Sequence, residues 1–223
     1  MKELFVFLLI TYNLKKEPMN KEEEQIDRLV DVMQSIPLDG KITILTGSNG
    51  SGKSLIRKQI LFEISRKTGK EKNKCVASTS LEARTSSNPE WGALSGIMQD
   101  DGWMPSSYET LKKVEAVLGL KDRYIIIDEP ELGMGEETVM ALVNYLNDLL
   151  SKLDESILGV MIITHNRYIV SNLKHDHFAN TDGLKTSEEW LNRELIPTDL
   201  EALKENKLFF AIRDRQKETK ENE

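Results

Sequence analysis

The chain has 223 residues, 39% of them hydrophobic and 30% charged, the balance of a globular protein with room for a sizeable core. Its formal net charge of −7 gives no support to nucleic acid or anionic membrane as a partner of the chain as a whole. The single cysteine, Cys75, excludes an internal disulfide and fits a reducing cytoplasm, and with three scattered histidines it leaves no metal-cluster spacing.

Near the start, residues 4–10 are continuously apolar but too short to cross a bilayer, so no stable membrane insertion is expected. They read as a buried strand. An export or membrane-contact segment and a leader ahead of a start at Met19 are the alternatives, though residues 11–16 supply no small-x-small cleavage site. Residues 20–35 place Ile26, Leu29, Val30 and Met33 on one helical face. The apolar runs 42–45, 75–77, 124–127 and 160–163 are unbroken rather than alternating, the pattern of parallel strands covered on both faces.

Helices are predicted between and after these runs. Residues 54–66 turn Leu55, Ile56, Ile60, Leu61 and Ile64 inward. Residues 136–153 hold Val139, Leu142, Val143, Leu146, Leu149, Leu150 and Leu153 at i, i+3, i+4, i+7 spacing. Another helix runs over 167–173. Residues 78–103 are polar and read as a long loop, followed by a helix from 105 with Leu111, Val114, Val117 and Leu118 as its apolar face. Thr186 and Thr198 each open a capped helix, and residues 213–223 are almost wholly charged.

The result is an α/β protein with a mainly parallel sheet flanked by helices. The expected divisions are a lead-in over 1–37, a core over 38–183 and a helical extension with a charged tail over 184–223. Basic residues gather at Arg57, Lys58, Arg66, Lys67, Lys70, Lys72 and Lys74. They read as a solvated helix face, with a nucleic-acid contact as the alternative.

Chemistry first enters at Gly47, Ser48, Asn49, Gly50, Ser51, Gly52, Lys53 and Ser54, a full G-x-x-x-x-G-K-[ST] match between a strand and a helix. Glycines let the backbone curl so that successive N–H groups face phosphate oxygens, and the helix N-terminus adds its positive dipole end. Lys53 would reach the β- and γ-phosphates, and the Ser54 hydroxyl would sit on Mg²⁺. The run 124–127 then delivers Asp128 and Glu129 at its carboxyl end, where ligands of open α/β sheets bind. Asp128 is placed to hold Mg²⁺, and Glu129 to polarise an attacking water as general base. A third run, 160–163, delivers Thr164 and His165, whose imidazole can contact the γ-phosphate or the water.

In that order, residues 47–54, 124–131 and 162–165 resemble the ABC-type ATPase family, with its Walker A, Walker B with catalytic glutamate, and switch histidine. Residues 176–183 resemble the family's next strand and turn. The resemblance spans about 38–183 and implies a three-layer P-loop NTPase fold, ATP and Mg²⁺ as ligands, and ATP hydrolysis. It implies Gln99 as the Q-loop glutamine on Mg²⁺ and water. The place of the LSGGQ signature is taken by Pro105-Ser106-Ser107-Tyr108-Glu109, where Ser106 and Glu109 match by type and Ser107 and Tyr108 replace glycines.

Only residues 100–105 separate Gln99 from Ser106, so the family's helical subdomain is much reduced. Asp128-Glu129-Pro130-Glu131-Leu132-Gly133 looks like the DEPE-x-x-L pattern of stand-alone ATPases related to SMC, recombination and defence proteins. The implied output is a switch, in which ATP drives association with a second copy or a partner ATPase subunit. A nucleotide-gated binding module with little turnover, the ATP-binding subunit of a transporter, and a P-loop kinase are the alternative readings.

Overall fold

The computed structural model describes residues 21–79 and 106–195. The predicted strand over 4–10, the predicted loop with Gln99 and the helix predicted from Thr198 lie outside the described residues.

In chain order the elements are α1 (Lys21–Ser35), β1 (Ile42–Thr46), α2 (Lys53–Thr68), α3 (Lys72–Cys75), β2 (Val76–Thr79) and α4 (Ser106–Leu118). There follow β3 (Tyr124–Asp128), α5 (Glu136–Leu150), β4 (Gly159–Ile163), α6 (Arg167–Asn172), β5 (His177–Asn180) and α7 (Ser187–Asn192). The five strands form one sheet in the order β2-β3-β4-β1-β5, and every pairing is parallel.

Side chains alternate across this sheet and build two cores. Ile44, Ala77, Ile125, Ile127, Val160 and Ile162 face α4, α5, α6 and α7, where Val114, Leu142, Leu146, Ile169 and Trp190 are buried. Leu45, Val76, Tyr124, Ile126, Met161 and Ile163 face α1 and α2, where Ile26, Leu29, Ile56, Ile60 and Ile64 are buried. Burial on both faces is why the strand sequences are apolar without alternation. The architecture is therefore the expected three-layer α/β fold, with a parallel sheet flanked by helices.

Several boundaries differ from expectation for physical reasons. Cys75 ends the short helix α3 instead of starting a strand, and β2 begins at Val76, in register with Tyr124. β2 also extends through Ser78 and Thr79, residues whose polarity had placed them in the following loop. α5 stops at Leu150, with the Ser151 N–H donating to Asn147 O, so Leu153 packs on the core from beyond the helix. Thr186 opens α7 as the expected cap, and the cap is a full capping box: its side chain accepts from Glu189 N, and the Glu189 side chain accepts from Thr186 N.

Candidate functional site

The loop after β1 lies where strand and helix meet. α2 begins at Lys53, and Gly52, its N-cap, offers no side chain to the first-turn amides. Two of the loop glycines are needed for packing as well as for curvature. Gly47 has φ 150°, and a Cβ there would collide with Thr181 Oγ1. Gly52 has φ 107°, and a Cβ there would lie 2.6 Å from Leu29 Cδ1 of α1. The side chain of Ser51, also in the loop, is hydrogen-bonded to Thr181.

The turn after β5 braces this loop. Asp182 Oδ2 accepts from Ser48 N at 2.8 Å and from Ser48 Oγ at 3.0 Å. Arg28 of α1 in turn donates from Nη1 to Asp182 O at 3.1 Å. The Lys53 ammonium folds over the loop and donates to Gly47 O and Ser48 O at 2.9 and 2.8 Å. Burial pulls its pKa down to about 8, against the opposing charges of Asp182, Glu129 and Asp128. Those three acids come from the end of β3 and from the turns that follow β3 and β5.

Because β4 lies between β1 and β3, its carboxyl end separates the glycine-rich loop 47–54 from the acidic pair. His165 Nε2 is 3.4 Å from Glu129 Oε1. Desolvation, and then the nearby Lys53 charge, hold the His165 imidazole below its usual pKa, while Glu129 and Asp182 oppose them. Glu129 itself has φ 47° although Pro130 follows it. A side-chain-bearing residue pays for that left-handed conformation, and the residue before a proline is normally extended. The Glu129 N–H donates to Ile163 O at 2.8 Å, which ties the strained turn to the end of β4.

The structure thus brings Lys53, Asp128, Glu129 and His165 to one rim of the sheet, with Ser54 exposed in the first turn of α2. Gln99 lies outside the described residues. α4, which runs from Ser106, is the helix expected from 105, and its Tyr108 is exposed with the Lys112 ammonium 4.6 Å from the ring centre.

Three residues of the site carried no role in the sequence reading. Glu131 Oε1 accepts from Thr164 Oγ1 at 2.6 Å and from His165 N at 3.3 Å. Asp182 braces the loop as described. Arg57, grouped above with solvated basic residues, is instead 7% exposed, and its Nη1 lies 3.5 Å from Asp128 Oδ2. Its position four residues after Lys53 was the available signal, since i and i+4 share a helix face.

The donor set fits a magnesium ion. Mg²⁺ takes one or two protein oxygens and completes its shell with phosphate and water. The Ser54 hydroxyl and the Asp128 carboxylate are of that kind.

No family model matches the chain, and no curated protein matches it. Among solved structures it is similar to C. elegans PCH-2, with 14% identity and a TM-score of 0.36, over 73% of this chain and 44% of that one. It is also similar to the Pif1 helicase from Candida albicans, with 18% identity and a TM-score of 0.32, over 74% of this chain and 40% of that one. The chain spans less than half the length of either. No helix of the described residues is long and apolar enough to cross a membrane.

Proposed function

We propose that this chain binds ATP with Mg²⁺ at the rim formed by the carboxyl ends of β1, β3 and β4, and hydrolyses it. The supporting observation is the convergence of three sequence-distant groups: the loop lysine Lys53, the acids Asp128 and Glu129, and His165. The amides of residues 50–54 and the Lys53 ammonium would bind phosphate oxygens, while Ser54 and Asp128, with Gln99 by resemblance, would hold the metal. Bound Mg²⁺ would neutralise charge on the phosphates. Glu129 would take the proton of an attacking water, and His165, held beside it, would orient that water and contact the γ-phosphate. Catalysis of this kind is positioning and charge stabilisation rather than covalent chemistry.

The ABC-type subclass and a switch in which ATP drives association with a second copy or a partner subunit belong to the same proposal. The test is phosphate release by wild type and by Glu129→Gln, together with calorimetry of Mg·ATP binding. The expected outcome is release slowed about 100-fold or more in the variant, with affinity within a few-fold of wild type. Absence of Mg·ATP binding to wild type would reject the proposal. Tyr108 at the place of a signature glycine favours one second reading, a nucleotide-gated binding module. Equal, negligible release by both proteins despite tight binding would select it.

A further inference from the structure

Arg57 is a buried cation with a specific target. It lies one turn beyond Lys53 on α2, so both side chains leave the same helix face. Its side chain is almost fully enclosed, and its guanidinium lies 3.5 Å from the Asp128 carboxylate at the end of β3. A guanidinium is a permanent cation, and burying one is costly unless it is paired. Glu63, by contrast, pairs with the exposed Arg66 on the solvent side of the same helix. The other basic residues of the cluster, including Lys58, are exposed. Arg57 is therefore built into the site, and Asp128 has a positive partner before any metal arrives.

We propose that Arg57 is a specificity-determining residue that competes with the divalent cation for Asp128 and so sets the metal affinity of the site. Assigning the metal to Asp128 rests on the function proposed above. The argument is one of linkage. Metal binding at Asp128 must weaken the guanidinium contact, and that loss is subtracted from the affinity. Removing the guanidinium takes one positive charge away from beside the Asp128 carboxylate, and the ion can then supply it.

The experiment titrates Mn²⁺ alone into the full-length, nucleotide-free protein and counts free ion by electron paramagnetic resonance. Arg57→Gln is expected to bind Mn²⁺ at least about tenfold more tightly than wild type, the scale of one charge-assisted contact. Lys58→Gln, on the solvent side of α2, is expected to leave the affinity unchanged. Adding Asp128→Asn to Arg57→Gln is expected to abolish the gain. A folded Arg57→Gln protein that binds no more tightly than wild type, or a gain that survives Asp128→Asn, overturns the proposal.

Should Arg57→Gln fail to fold, wild type decides. Saturating Mg²⁺ is then expected to shift the Arg57 Nε–Hε resonance, and an unmoved resonance overturns the competition. Calorimetry with Mg·ATP keeps the two readings apart. Wild type that binds no nucleotide, alongside tighter Mn²⁺ binding by Arg57→Gln, would reject the proposed function and leave the competition standing.

Discussion

Glu131 shows how a single side chain can join two loops. Its carboxylate is mostly enclosed, and desolvation pushes its pKa up despite hydrogen bonds from Thr164 and His165. Its second oxygen, Oε2, has no hydrogen-bond partner among the described residues. Glu131→Gln keeps an acceptor for Thr164 and His165 and removes the buried charge, so it is expected to be at least as stable as wild type at pH 7. For a carboxyl whose folded pKa is raised, the penalty is complete above that pKa and vanishes below the unfolded value. Any advantage of the variant should therefore close as pH falls from the raised value through about 4.5, which urea midpoints at pH 7 and pH 4 would show. Glu131→Ala strands both donors and should cost about 1–3 kcal/mol. At this scale the sequence was informative about placement where a residue type and its motif agreed, as for Lys53, Asp128 and Glu129, which lie at one rim of the sheet. It misled at Arg57, because charge predicts exposure on average and only the three-dimensional partner explains the exception.

Among the elements, the glycine-rich loop 47–54 shows why a glycine motif is more than a licence to bend. Gly50 has φ 74° and open space where a Cβ would go, whereas Gly47 is pressed against Thr181. Gly50→Ala is therefore expected to cost about 1–2 kcal/mol, the strain of the left-handed backbone alone. Gly47→Ala must add a steric clash with Thr181, and thermal unfolding of the two variants should show the larger loss at Gly47. The strands were legible because both faces of the sheet are covered, which leaves continuous apolar runs at 42–45, 124–127 and 160–163. The ends were less so. Thr46 and Thr79 continue their strands as buried polar residues, and hydropathy alone does not distinguish them from loop. α3, with Lys72 and Lys74 ahead of Cys75, hid its single turn inside a charged stretch. β5, only four residues long, was visible through the family resemblance rather than through its own pattern.

Across the whole molecule, the sheet joins two separate cores. Ile60 of α2 and Leu146 of α5 are both fully buried, on opposite faces. Each substitution to alanine is expected to cost about 2–5 kcal/mol. Lacking shared partners, the two costs should add in the double variant, as urea unfolding at constant m-value would show. What the sequence could not express was strand order, because chain order does not say which strand lies beside which. The position of β4 between β1 and β3 emerges only in three dimensions, and it works as a ruler. Neighbouring strands repeat at about 4.8 Å, so the lysine-bearing end and the acid-bearing end stand about 10 Å apart across the sheet. That gauge is fixed by backbone hydrogen bonds, not by side-chain choice, and loops at the rim can lengthen or mutate without altering it.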